Sequence, residues 1–209
     1  MNAATLRDGL LALGLPLEAA AQHKLLAYLA LVQKWNKVYN LTAIHDETKL
    51  VSHHLLDCLA VVRWLSGDTV LDVGSGAGLP GIPIAIACAD KIVTLLDSSH
   101  KKTAFLQQVK TELDLQNVQV ETARVEAYRP TQGYDVVISR AFAELAEFYR
   151  AARALCAPGG RLIAMKGVYP DEEIAQMPSG AVEKIVPLVV PALSAQRHLI
   201  FLDPAGKAS

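Results

Sequence analysis

The residues whose types and spacing could do chemistry are concentrated between positions 71 and 81. There Leu71-Asp72-Val73 runs into Gly74-Ser75-Gly76-Ala77-Gly78-Leu79-Pro80-Gly81. An apolar run with an embedded acid thus feeds directly into closely spaced glycines. Gly74, Gly76 and Gly78 allow positive φ and let the backbone approach a ligand with no Cβ in the way. In open α/β sheets this first turn is where a nucleotide-like ligand sits. Asp97 closes the next β-branched run, where a carboxylate can accept both hydroxyls of a ribose; capping the following helix is its alternative use. Residues 76–81 also match the dinucleotide pattern G-x-G-x-x-G, but the first glycine of that match lies three residues beyond Val73. Counted from the strand, the spacing is Asp-x-Gly-x-Gly-x-Gly. Cations stand at the ends of three further apolar runs: Arg140 after 134–139, Lys166 closing 160–166 and Arg197 opening 197–203. Arg140 could meet a cofactor, a base edge or a phosphate. Lys166 and Arg197 could reach a nucleic-acid backbone or remain solvated surface charges.

The pattern of the chain predicts the elements that must hold these residues. Apolar positions Leu25, Tyr28, Leu29, Val32, Trp35 and Tyr39 form a helical stripe. A second stripe from Leu50 to Leu65 follows Asp46, a candidate N-cap, and stops before Gly67. After Gly67, β-branched runs at 69–73, 91–97, 118–123, 134–139 and 160–166 alternate with helical stretches at 82–88, 101–113 and 143–155. This rhythm predicts a mostly parallel sheet with helices on both faces. The runs 183–193 and 197–203 are too close for a crossover helix, so an antiparallel pair is expected. The fold class is therefore α/β, with a helical N-terminal extension (1–66) on a sheet domain (67–209). No internal repeat or low-complexity segment is visible.

Composition narrows the function classes. The chain has 209 residues, 52% apolar and 20% charged, with a net charge of −1, the profile of a globular protein. Segment 1–66 holds 6 basic and 5 acidic residues, and 67–209 holds 14 and 16. Neither part is a cationic coat of the kind that holds nucleic acid by bulk phosphate neutralisation. Cys58, Cys88 and Cys156 are too few and too widely spaced for a disulfide framework or a zinc knuckle. His53, His54 and Asp57 lack a fourth ligand, so they read as a hydrogen-bonded helix face and no metal is expected. The N-terminal segment lacks the features of a signal peptide, and no apolar run reaches membrane-spanning length. A cytoplasmic monomer acting on neither membrane nor DNA is expected.

The spacing Asp72-x-Gly74-x-Gly76-x-Gly78 is similar to the first motif of class I S-adenosylmethionine-dependent methyltransferases, which have a Rossmann-like sheet. The turn Ala157-Pro158-Gly159-Gly160 before the fifth strand points the same way. Over most of its length the chain resembles one family, the bacterial ribosomal RNA small-subunit methyltransferase G family, also called glucose-inhibited division protein B. The resemblance is carried by Trp35-Asn36-Lys37, Asn40-Leu41-Thr42, residues 53–57, 71–83 and 95–97, Arg124-Val125-Glu126, Ser139-Arg140-Ala141, Lys166-Gly167 and Arg197-His198-Leu199. It implies methylation of N7 of one guanine in small-subunit ribosomal RNA, with S-adenosylmethionine as cofactor; the balanced charge adds the expectation of a folded ribosomal context, such as a particle, over free RNA. Cofactor contacts are implied at Gly74, Leu79, Val125, Glu126 and Arg140, joined by Gly76, Gly78 and Asp97 on the arguments above. Arg140 is the expected catalytic residue. Asn36 and Asn40, with Lys166 and Arg197, are the candidate RNA contacts; Trp35 and Tyr39 could stack on bases but fit the core stripe. Guanine N7 carries an in-plane lone pair, so positioning rather than general-base catalysis is expected. The alternatives are an NAD-dependent oxidoreductase and a non-catalytic RNA-binding or assembly module.

Overall fold

The computed structural model describes residues 3–44, 46–140 and 142–206. Met1, Asn2, His45, Ala141 and residues 207–209, which fall within segments and motifs named above, lie outside the described residues. The chain begins with helices α1 (Ala3–Ala12) and α2 (Ala19–Tyr39). Asn40 ends α2 in the left-handed conformation, with φ 50°. A third helical stretch runs as α3 (Glu47–Leu50), a π turn (Val51–Leu56), α4 (Asp57–Leu59) and a 3₁₀ turn (Val62–Trp64). As the pattern implied, Asp46 caps it, its Oδ1 accepting from Thr48 N–H at 3.0 Å.

The alternation then follows as β1 (Thr69–Val73), α5 (Gly81–Ala87), β2 (Ile92–Asp97), α6 (His100–Glu112), β3 (Val118–Thr122), β4 (Tyr134–Ser139), α7 (Leu145–Ala152) and β5 (Cys156–Lys166). A short α8 (Asp171–Ala175) precedes β6 (Val182–Pro187) and β7 (His198–Leu202). The strands form one sheet in the order β3-β2-β1-β4-β5-β7-β6. β1 to β5 are parallel, and β7 runs antiparallel to both β5 and β6. The order reverses at β1, so the C-terminal ends of β1 and β4 flank the crevice where α/β sheets bind ligands.

Two strand limits differ from the pattern. β5 starts at Cys156 rather than near Gly160, and the register with β4 shifts between Tyr134 and Val136, as an inserted bulge requires. β6 stops at Pro187, whose ring removes the ladder donor, instead of running on to 193.

Alternate residues of each strand serve opposite faces. Val70, Val136, Ile138 and Phe201 share a core with α5, α6 and the N-terminal helices, including Leu6, Leu25 and Tyr28. Leu71, Val73 and Val137 join Phe148 and Tyr149 of α7 on the other face. The helical extension therefore completes one side of the sheet's own core. The buried Tyr28 hydroxyl also donates to Ala77 O at 2.7 Å, which ties α2 to the glycine turn.

Candidate active site

The turn after β1 opens onto a cavity of about 370 Å³ at the C-terminal ends of β1, β2 and β4. Gly74 lines it with φ +70°, and the space its missing Cβ would occupy is free of other atoms to 4 Å. Asp97, Val125, Glu126 and Ser139 line the same cavity. Asp97 is 6% exposed. Its Oδ2 accepts from Gly76 N–H at 2.9 Å and lies 3.7 Å from Lys102 Nζ, while Oδ1 accepts from Ser99 N–H at 2.9 Å. The Asp97 carboxylate thus faces the cavity and also braces the turn, while the cap position of α6 falls to Ser99 rather than to Asp97. The open side of Gly74, the carboxylates and the apolar Val125 fit a nucleoside-bearing ligand.

Not every expected cofactor position reaches that cavity. Gly78 has φ +92°, and a Cβ there would stand 2.6 Å from Ile82 and 2.9 Å from Leu106, so this glycine permits close packing of the turn on α5 and α6. Leu79 is buried in the core. Gly76, at φ +59°, enters through its bond to Asp97. Behind the turn, Asp72 is fully buried. Its Oδ2 accepts from Gly81 N–H at 2.9 Å and its Oδ1 has no hydrogen-bond partner among the described residues. Burial pushes this carboxyl up to about 7, against the opposing effects of the Gly81 bond and Arg140.

Arg140 lines a second cavity, of about 320 Å³, rather than the first. Its Nη1 donates to His53 O at 3.1 Å and to Asp57 Oδ2 at 3.4 Å. Arg197 Nε donates to Asp57 Oδ1 at 2.8 Å. Burial alone would lower the Arg140 pKa, but Cys58, Asp57 and further groups around it outweigh that and raise it. The π turn offsets the carbonyl ladder by one residue at this point in the helix, with His53 O facing Arg140. His54 is buried beside it, 3.0 Å from Thr42 Oγ1 through Nε2. Burial and Arg140 push its pKa down to about 4, and burial pushes the Cys58 thiol up to about 12.

Lys166 lines the second cavity but is not a free surface cation. Its Nζ donates to Phe142 O, Ala143 O and Glu173 Oε2, at 3.2, 3.1 and 2.7 Å. Asn36 is likewise turned inward, buried with its Oδ1 accepting from Thr42 N–H at 2.8 Å, because the chain must close the connection after α2. Asn40 is exposed and borders a third cavity of about 280 Å³, which shares Ile44 with the second. The expected RNA contacts therefore gather along two adjoining hollows. Trp35 stacks on Tyr39, with ring centroids 5.2 Å apart, and touches Phe105. Lys102, Phe142 and Asp57 are lining residues that the motifs did not single out as contacts. Asp57 entered only through its helical spacing from His53 and as the end of the family-like stretch 53–57, with no contact role attached.

Comparison with known proteins points in one direction. A family model described as rRNA small subunit methyltransferase G matches residues 21–200. The ribosomal RNA small subunit methyltransferase G of Chromobacterium violaceum is 55% identical over 202 residues, covering 96% of this chain and 97% of the relative. The protein of the same name from Ralstonia nicotianae is 54% identical over 211 residues, 96% and 95% of the two chains. The crystal structure of a SAM-dependent methyltransferase from Aquifex aeolicus superposes with a TM-score of 0.58 at 18% identity, covering 78% of this chain and 96% of that one. That likeness is one of fold.

Proposed function

Since the chain belongs to the rRNA small subunit methyltransferase G family, we propose that it transfers the methyl group of S-adenosylmethionine to N7 of a guanine in small-subunit ribosomal RNA. One observation supports the active-site assignment above others. Ser139, the last residue of β4, lines the first cavity, and Arg140, the next residue, lines the second. A donor hollow and a cation-lined hollow thus meet at one strand end. The dinucleotide alternative is set aside on the family and the fold.

S-adenosylmethionine supplies a methyl group on a positively charged sulfur, open to in-line displacement. In this reading Gly74 offers bare backbone to the donor, Asp97 accepts from the ribose hydroxyls, Glu126 takes a polar edge of the adenine and Val125 packs on its ring. The RNA base enters beside Arg140, whose guanidinium can donate to O6 and hold the purine plane. N7 needs no deprotonation, and the ionisable groups nearby suit a reaction without a base. His54 is neutral at pH 7 and already paired with Thr42, Cys58 stays a thiol, and Asp72 is sealed behind the glycine turn. Holding the two reactants in line is then the main contribution of the protein.

The net charge of −1 favours a folded ribosomal particle over naked RNA, because the basic residues are balanced by acidic ones and form no cationic excess to hold phosphates in bulk. The helical extension, with Asn40 and the third hollow, supplies part of the RNA-facing side. The direct test is transfer of labelled methyl to small subunits that lack the modification, followed by nucleoside mass analysis. N7-methylguanine at a single position is the expected product. A binding or assembly module would associate with the particle and leave it unlabelled, and methylation at another atom would overturn the N7 assignment.

A further inference from the structure

The second cavity carries charge of both signs. Arg140, Lys166 and Arg197 line it together with Asp57, whose side chain is only 4% exposed. Holding two arginines in place is one use for that carboxylate, but it leaves part of the group unused. A carboxylate offers about four lone-pair sites. The two arginine contacts, Arg197 on Oδ1 and Arg140 on Oδ2, occupy one site on each oxygen. What remains is a pair of acceptors side by side at the wall of a hollow, with orientation fixed from both sides.

Resting on the methyltransferase reading above, we propose that Asp57 selects the base, by accepting hydrogen bonds from N1–H and N2–H of guanine. Guanine alone among the four RNA bases places two donors next to each other on its Watson–Crick edge. Adenine would turn the N1 lone pair toward the carboxylate, uracil has a single donor there, and cytosine sets an acceptor beside its amine. A purine held by this edge has N7 on the far side of the ring, where no donor need be committed to it. Ile44 and Met165 also line the hollow and provide apolar surface for the faces of a base taken out of its stack. A wrong base would leave the two remaining acceptor sites of Asp57 unmatched, and sites built to hydrogen-bond a substrate reject analogues lacking the donor strongly.

The test compares small subunits rebuilt with guanine or inosine at the target position. Inosine keeps O6, N7 and N1–H and lacks only the 2-amine. For the unaltered enzyme, kcat/KM should favour guanine by about 10- to 100-fold, the worth of one hydrogen bond to a charged group. In Asp57→Asn the rate on guanine should drop and the preference should shrink to about threefold or less. Asp57→Glu, which keeps the acid but moves it, should lose far more efficiency on guanine than on inosine; it serves if the asparagine variant does not fold. If Asp57 only places the arginines, both substrates will suffer by the same factor and the preference will persist, which overturns this inference and leaves the transferase reading intact. Equal rates on the two substrates in the unaltered enzyme overturn it as well. Methylation of neither by the unaltered enzyme would remove the transferase reading and this inference together.

Discussion

Asp72 and His54, both buried near Arg140, push the stability of the protein in opposite directions as pH changes. Asp72 titrates at about 7 in the folded chain against an ordinary 3.8, so from about pH 4 to 7 the folded state keeps a proton that the unfolded chain has released. Stability contributed by this group therefore falls as pH rises through that window, by about 4 kcal/mol. His54 titrates at about 4 against an ordinary 6.5; there the unfolded chain holds the extra proton, and stability rises with pH by about 3 kcal/mol. The two slopes nearly cancel in the natural chain between pH 4.5 and 6.5. Urea unfolding across that range should show Asp72→Asn gaining stability with pH and His54→Gln losing it, whatever the absolute cost of each change. Parallel slopes in Asp72→Asn and the natural chain would mean that Asp72 does not titrate there. Asp72 was legible in the sequence because its spacing to the glycines is local. Asp57 was not, since its arginine partners lie 83 and 140 residues away and only the folded sheet brings them together.

The loop between β4 and α7 depends on a clamp that spans several elements. Lys166, at the end of β5, binds the carbonyls of Phe142 and Ala143 and the carboxylate of Glu173, and Glu173 Oε2 accepts from Leu145 N–H at 2.6 Å. That carboxylate satisfies an amide at the start of α7 that has no partner within the helix. Phe142 and Ala143 line the first cavity while Lys166 lines the second, so the clamp ties the walls of the two together. Lys166→Met keeps the stem and removes the ammonium, taking the donor from two carbonyls and leaving the partly buried Glu173 carboxylate with Leu145 N–H but no cation. It should cost about 2–3 kcal/mol of unfolding free energy and weaken S-adenosylhomocysteine binding about tenfold, measured by urea unfolding and calorimetric titration. Unchanged affinity in the folded variant would free the donor cavity from any dependence on this loop. The strands themselves were readable, because β-branched runs bounded by glycines and helical stretches repeat in a fixed rhythm from β1 to β5. The π turn at 51–56 was not, since its residues keep an ordinary helical stripe and the extra residue shows only in the backbone ladder.

Across the whole molecule, sequence and structure differ most over how the N-terminal helices relate to the sheet. The amphipathic stripes showed that α2 and the stretch after Asp46 each have a face to bury, but a stripe does not say what it is buried against. In the structure Leu6, Leu25, Tyr28, Leu55 and Val61 pack in the same cluster as Val70, Ile82, Phe105 and Val136. Cutting the chain at 66 would bare that side of the sheet and remove the Tyr28 bond to the glycine turn. Residues 67–209 should therefore fail to fold alone, and the full chain should unfold in one transition. Two probes can check this without truncation. Both tryptophans, Trp35 and Trp64, lie in the helical part, whereas far-ultraviolet circular dichroism weighs the helices and strands of the entire chain. Coincident urea curves from tryptophan fluorescence and circular dichroism are the expected result for a single cooperative unit. An earlier midpoint in fluorescence would mark the helices as a separately folding cap. The hollow beside Asn40 would then loosen without disturbing the first cavity, and the coupling from α2 through Tyr28 to the glycine turn would have to be given up.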